Sequence, residues 1–153
     1  MLPSDPVKSY EALMRWTAGN VAAADFLREM SEIARLADDI VDEVAHRQRN
    51  VSWLLSRTLV ALPGNPFFAA HAVRLGPLIS TIVVKWRLSD EYRLSDDQLK
   101  QVHGFVMREA VGDLVTATAS IIGGDEFAMT VAADFFQTCH AGSIETVQDW
   151  VEE

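Results

Sequence analysis

The chain is poor in cysteine and in the segments that direct proteins to membranes. Its only cysteine, Cys139, excludes an intrachain disulfide and fits a reducing compartment. Residues 1–10 contain no apolar core of the kind found in signal peptides. No uninterrupted apolar run approaches the roughly 20 residues of a membrane span. We therefore expect a cytoplasmic protein with no membrane partner.

Several motifs that carry common chemistries are also missing. The sequence has no Gly-rich phosphate loop, no Gly-x-Ser-x-Gly and no Cys-x-x-Cys. Cys139 and His140 are adjacent, but neighbouring helical side chains point about 100° apart, and a catalytic Cys–His pair needs spatial neighbours. No general base stands out, so the sequence leaves open whether the protein is an enzyme.

The charge balance narrows the class of partner. The chain has 13 basic and 22 acidic residues, for a net charge of −9. This argues against nucleic acid or anionic lipid as a partner. A protein partner, a second copy of the chain or a metal-bridged phosphate remains compatible with it.

Composition and helix signals predict one all-α domain over residues 1–153. Hydrophobic residues make up 49% of the chain and charged residues 23%, which is typical of a folded globular protein. We expect an irregular bundle of about six helices around a buried central helix at residues 78–86, which are apolar almost all round. Gly76-Pro77 should kink or split the helix before it.

Capping residues predict where the helices begin. We expect a long acidic helix from Asn20 to about Arg47, and another helix from Ser95 to Ile122, with His103 on its buried face. The predicted cap residues are Ser4 or Asp5, Asn20, Asn50, Asn65, Ser95 and Asp125. Ala141-Gly142 should interrupt the last helix, and Ile144, Val147, Trp150 and Val151 should dock the tail. The four tryptophans are expected to be core or interface anchors.

The acidic run at residues 37–43, Ala-Asp-Asp-Ile-Val-Asp-Glu, is the feature richest in potential chemistry. On a helix, Asp38 and Asp42 lie one turn apart on one side of the apolar stripe that begins at Phe26. Asp39 and Glu43 lie one turn apart on the other side. Carboxylates at this spacing suit Mg²⁺, which prefers oxygen ligands.

A solvated helix face explains the same residues without a metal. Asp39 has Arg35 four residues before it, Asp42 has His46 four residues after it, and Glu43 has Arg47. Exposed helical pairs of this kind contribute about 0.3–0.5 kcal/mol each. Both interpretations remain open from the sequence.

A second acidic pair, Glu109 and Asp113, is also predicted to lie one turn apart on its helix. If it faced the Asp38–Asp42 pair across a groove, four carboxylates would form a two-helix metal site. A charged surface beside Arg108 is the alternative explanation.

The residues Asp38-Asp39-Ile40-Val41-Asp42 resemble the first aspartate-rich motif of class I isoprenoid synthases. The resemblance implies that Asp38 and Asp42 hold Mg²⁺ against a diphosphate. In that family a second motif ends in Glu; the nearest sequence here runs from Asp113 through Thr116 and ends at Ser120. Glu29-x-x-Glu32 is similar to half of the motif of helical nucleotide pyrophosphohydrolases, which also use Mg²⁺.

The layout of the whole chain resembles small all-helical proteins of tailed-phage and prophage genomes. The resemblance is carried by the features Trp16-x-x-x-Asn20, the acidic run, Asn65-Pro66-Phe67-Phe68, residues 108–113, Gly123-Gly124 and residues 145–152. It implies no specific activity. The sequence therefore favours a non-catalytic helical protein that acts through protein contacts or self-association, with a Mg²⁺-dependent diphosphate enzyme as the alternative.

Overall fold

The computed structural model describes residues 5–42, 44–140 and 145–152, and these residues are helical with no β-strand. The all-α prediction is therefore confirmed. The helices are α1 (Pro6–Trp16), α2 (Val21–Asp42), α3 (Arg47–Ser56), a π-helical turn (Arg57–Ala61), α4 (Leu62–Gly64), α5 (Pro66–Arg93), α6 (Gln98–Met107), α7 (Val111–His140) and α8 (Val147–Glu152).

The chain divides into two compact units. The N-terminal unit extends to Ala72 and the C-terminal unit begins at Val73, so the boundary falls inside α5. A single domain over residues 1–153 stays a prediction.

Capping residues place the first helices as expected. The Asp5 carboxylate accepts a hydrogen bond from the backbone N–H of Val7 at 2.9 Å, and Asn20 accepts one from Ala23 at 3.1 Å. Each satisfies a backbone donor that the first helical turn leaves unpaired. Between α1 and α2 the chain turns at Ala18 and Gly19, with φ angles of 49° and 78°. Ser4 lies outside the described residues.

Aromatic rings form the centre of the N-terminal unit. The Trp16 and Phe26 side chains are both fully buried. The Phe26 ring centroid lies 5.8 Å from the ring centroids of Phe67 and Phe68, within the range in which aromatic pairs attract each other. The start of α5 therefore packs against the first half of α2.

Asn65 fixes this packing through both ends of its amide. Its Oδ1 accepts a hydrogen bond from the Phe68 N–H at 2.9 Å, which confirms the predicted cap of α5. Its Nδ2 donates to the Ala22 carbonyl oxygen at 2.9 Å. One side chain therefore begins α5 and ties it to α2.

The acidic helix α2 is shorter than predicted. It ends at Asp42, and His46 has a left-handed φ of 63° before α3 begins at Arg47. The Arg47 guanidinium donates to the Val41 carbonyl oxygen at 3.5 Å, an interaction that suits the carbonyls exposed at a helix C-terminus. The predicted cap at Asn50 is wrong, because this residue is buried inside α3.

An ion pair joins α2 to the π-helical turn. Arg57 Nη1 donates to both carboxylate oxygens of Glu29, at 2.9 and 2.8 Å. The Glu29 side chain is only 12% exposed. A π turn carries one extra residue relative to an α-helix, and here it keeps Arg57 directed at Glu29 while Leu59 and Val60 are left exposed.

Helix α5 differs from the predicted central helix. It passes through Pro77 as one element, and the Thr81 hydroxyl donates to the Pro77 carbonyl oxygen at 3.0 Å. No residue among 78–86 is buried. The expectation of a buried central helix is therefore wrong, because the two cores draw on Phe67 and Leu75 of α5 instead.

Within the described residues, α5 is also the one helix long and apolar enough, by length and composition, to cross a membrane. An 18-residue window within it has a mean hydropathy of 1.6, yet only 17% of that window is buried. The expectation of no membrane partner stays a prediction, because the core helix of a soluble protein passes the same test of length and composition. Arg74, Ser80 and Thr81 interrupt the apolar run without lowering its average hydropathy below that of a span.

The helix predicted from Ser95 to Ile122 is two helices. Asp97, not Ser95, caps α6 by accepting a hydrogen bond from the Leu99 N–H at 2.9 Å. Helix α6 ends at Met107 and α7 begins at Val111. Helix α6 buries Gly104, whereas its apolar residues Leu99, Val102 and Val106 are exposed. His103 is exposed as well, so its predicted burial is wrong.

The C-terminal unit is closely packed at Gly104, where Trp150 of α8 contacts α6. A Cβ at Gly104 would lie 2.9 Å from the Trp150 ring, 3.0 Å from the Tyr92 Cβ and 3.1 Å from the Ser89 carbonyl oxygen. Trp150 is 4% exposed, so the predicted docking of the tail is confirmed for α8. Helix α7 is kinked at Gly124, with φ of 76°, where the sequence predicted a stop. The predicted break at Ala141-Gly142, and Ile144, lie outside the described residues.

We expect Gly104→Ala to lower the free energy of unfolding by about 1–3 kcal/mol, because a methyl group has no room against three neighbours. Urea denaturation followed by circular dichroism measures this change. The matched control is Gly64→Ala, since a Cβ there meets nothing within 4 Å; it should be neutral or stabilising by up to about 1 kcal/mol. Equal effects of the two substitutions would contradict the close approach at Gly104.

Candidate functional site

The acidic run of α2 forms part of a ladder of charges on the helix surface. Arg35 Nη1 donates to Asp39 Oδ2 at 2.7 Å, and Arg35 Nη2 donates to Glu32 Oε2 at 3.1 Å. The hydrogen bond to Glu32, and the negative charges of both carboxylates, raise the pKa of the Arg35 guanidinium. The predicted pair of Asp39 with Arg35 is confirmed.

Asp38 and Asp42 are exposed on α2. The predicted helical pair of Asp42 with His46 is wrong in its geometry, because α2 ends at Asp42 and His46 lies in a left-handed turn. Glu43, and with it the predicted pair to Arg47, lies outside the described residues. The helix therefore holds two proposed ligands, Asp38 and Asp42, on its surface, and the third, Asp39, beside an arginine.

The second acidic pair also has cationic neighbours. Lys85 Nζ donates to Asp113 Oδ2 at 2.6 Å. Glu109 lies 3.5 Å from Arg108 Nε and 3.5 Å from His140 Nε2. Asp113 is in the first turn of α7, whereas Glu109 lies in the turn before it. The expectation that both share one helix flank is wrong.

Asp38 and Asp42 belong to the N-terminal unit, and Asp113 and Glu109 to the C-terminal unit. The metal hypothesis requires these two pairs to meet, and it stays a prediction. Among the residues that the structure describes, no group of three or more His, Cys, Asp or Glu side chains is placed to hold a metal ion.

An open groove of about 460 Å³ lies in the C-terminal unit. Asp113, Thr116 and Ser120, which the sequence aligned with the second isoprenoid-synthase motif, all line it. The Thr116 hydroxyl donates to the Gly112 carbonyl at 2.9 Å, and the Ser120 hydroxyl to Asp125 at 3.3 Å. The groove gathers these side chains, but their polar atoms are engaged within the protein.

The thiol and imidazole at the end of α7 are not arranged for nucleophilic catalysis. Burial raises the pKa of the Cys139 thiol, which disfavours the reactive thiolate. The His140 ring lies 4.9 Å from the Phe136 ring and its Nε2 faces Glu109.

Sequence reasoning missed three ion pairs between residues distant in the chain. They are Arg57 with Glu29, Lys85 with Asp113, and Arg108 with Glu145. Only Arg57 had a local signal, since it is the single charge between Val51 and Leu62. A lone charge in an apolar segment needs a partner from elsewhere.

Comparison of the chain with protein-family models, with curated proteins and with solved structures found no match.

We expect saturating Mg²⁺ or Mn²⁺ to leave the melting temperature of the protein unchanged, because Asp39, Asp113 and Glu109 already have cationic partners. An ion at about 100 times its dissociation constant would stabilise the folded state by about 2.7 kcal/mol. Differential scanning fluorimetry with and without metal measures the shift, with Asp38→Ala as the control. A rise in native protein that is lost in the control would contradict the charged-surface interpretation and favour the metal site.

We expect Glu29→Gln to lower the free energy of unfolding by about 1–3 kcal/mol, because Arg57 loses a largely buried carboxylate. The control is Asp25→Asn on the same helix. Asp25 pairs with Arg28, both side chains are more than half exposed, and such pairs contribute less than about 1 kcal/mol. Equal free energies of unfolding for the two variants would show that the pair of Glu29 with Arg57 stabilises the fold no more than an exposed pair does.

Proposed function

We propose that the protein is a non-catalytic helical protein that acts by association with protein, first of all with further copies of itself. The proposal is supported chiefly by α5, whose most apolar window is only 17% buried. Monomeric soluble proteins rarely leave large contiguous apolar surfaces uncovered.

The exposed side chains of α5 include large ones. Val73 is 91% exposed, Val84 61% and Val83 49%. Val73, Pro77 and Val84 follow the spacing of one helix face, since residues four and seven apart return to the same side. Thr81 also faces outward, and its hydroxyl is satisfied by the Pro77 carbonyl. This stripe therefore presents apolar surface with few unmet hydrogen bonds.

The Mg²⁺-dependent diphosphate enzyme has weaker support. Of its proposed ligands, Asp39 pairs with Arg35, Asp113 pairs with Lys85, and Glu109 lies beside Arg108. The resemblance to phage and prophage proteins and the cytoplasmic location stay predictions.

A membrane is the second candidate partner, because α5 has the length and composition of a span. Protein association is favoured over it. Arg74 lies within the apolar stretch of α5, and Lys85 of the same helix pairs with Asp113. Charged groups of this kind are costly to place in hydrocarbon.

We expect the purified protein to sediment as an assembly, with a mass that is a multiple of 17.0 kDa and falls on dilution. Analytical ultracentrifugation from nanomolar to high micromolar concentration measures this mass. Val73→Ser with Val84→Ser should raise the dissociation constant about tenfold or more, if these residues lie at an interface centre. Val7→Ser is the control, because Val7 is an exposed valine on α1, with 66% of its surface accessible.

Two outcomes would overturn the proposal. One is a mass of one chain at every concentration. The other is flotation of the wild-type protein with phospholipid vesicles, which would show that the apolar surface binds a membrane and not another protein chain.

A further inference from the structure

A second exposed apolar surface lies on the hairpin formed by α2 and α3. Of the residues in α3 only Asn50 is buried, and in the π-helical turn none is. Trp53 is 51% exposed, Leu59 70% and Val60 69%. Trp53 and Val60 are about two helical turns apart and both face outward.

The outer surface of α2 has a different character. Asp25 pairs with Arg28, and Arg35 pairs with both Glu32 and Asp39. Because these charges are paired with one another, the ladder can face water or a partner, and the aliphatic stem of an arginine such as Arg35 can cover apolar surface. The outer surface of α3 carries no comparable ladder: Arg49 lies over the Trp53 ring, 5.2 Å from its centroid.

The π-helical turn is the reason for part of this exposure. Arg57 is held towards α2 by Glu29, while Leu59 and Val60, two and three residues later, are exposed as a pair. π turns are rare and occur frequently at functional sites. A turn that places two adjacent apolar side chains outward is consistent with a docking surface.

The two helices run antiparallel, and their charges are ordered along them. Arg47 contacts the Val41 carbonyl at one end, and Arg57 meets Glu29 further along. Arg49 therefore lies at about the level of Asp38 and Asp42. Between Glu43 and Asp90 the sequence has no acidic residue. One end of the hairpin thus carries basic groups on α3 beside acidic groups on α2.

We infer that this hairpin docks against the same hairpin of a second copy of the chain, forming a four-helix bundle. This inference rests on the proposed function and names one surface for it. A two-fold axis parallel to the hairpin places α3 of each copy beside α2 of the other, with neighbouring helices antiparallel, as in simple bundles. Trp53 and Val60 become buried, and Arg49 meets Asp42 of the partner subunit.

The charge pattern favours a second copy of the chain as the partner that binds this hairpin surface. A two-fold interface uses the same patch on both subunits, so the patch must complement itself. Arg49 and Asp42 at one level satisfy this condition, because each meets its opposite across the axis. An anionic lipid surface would attract Arg49 but repel Asp38 and Asp42.

Charge exchange between copies tests the inference. Arg49→Glu and Asp42→Arg should each weaken self-association about tenfold or more, because each places like charges across the interface. An equimolar mixture of the two variants should associate as wild-type protein does, since both contacts become attractive in the heterodimer. Analytical ultracentrifugation with one variant fluorescently labelled reports heterodimers.

Trp53→Ser with Val60→Ser tests the apolar part, with Val7→Ser as the control and circular dichroism melting as the check of folding. The double variant should dissociate more readily than wild type, and the control should not. If wild-type protein assembles but the hairpin variants assemble equally well and the mixture shows no recovery, the hairpin assignment is wrong while the proposed function stands. If wild-type protein never assembles, the proposed function itself fails.

Discussion

Exposed apolar surface is the main physical constraint on this protein, and the proposed self-association follows from it. Nearly half of the residues are hydrophobic. In the described part of the chain, many of the large hydrophobic side chains lie on helix faces that no other helix covers. Burying apolar surface contributes about 25 cal/mol per Å². Side chains such as Val73, Leu59 and Trp53 are exposed in the isolated chain. Burying them against a partner would therefore stabilise the complex.

Polar interactions decide where that surface lies. The Arg57–Glu29 ion pair holds the π-helical turn against α2 and leaves Leu59 and Val60 outside. Asn65 fixes the start of α5 through its contacts with Phe68 and Ala22, which directs Phe67 into the N-terminal core. Neither interaction is catalytic. Both set the direction in which an apolar helix face points.

The sequence predicted the helical class and three of the six helix caps, because caps act locally. Asp5, Asn20 and Asn65 each bond a backbone N–H within three residues. Burial was harder to predict, because it depends on neighbours distant in the chain. Residues 78–86 look like a core helix by composition, yet none of them is buried. His103 was predicted to be buried, but it is exposed, and α6 buries Gly104 instead.

The candidate metal site shows the same limit. The spacing of Asp38, Asp39 and Asp42 was readable, and the Arg35 partner of Asp39 followed from it. The partner of Asp113, Lys85, is 28 residues away and has no signal in the sequence. Local patterns therefore described the charged surface of α2 well, but gave no means of showing which carboxylates are neutralised by distant residues.

Hydroxyl-radical footprinting at low and high protein concentration shows whether another protein chain covers the exposed apolar surface. Trp16 is fully buried and Trp53 is half exposed, so one chain contains both the reference and the probe. Labelling of Val73 and Val84 in α5, and of Trp53, Leu59 and Val60 in the hairpin, should fall as protein concentration rises, while Trp16 stays protected throughout. Labelling of Trp53 that is high and independent of concentration would contradict the claim that protein covers this surface.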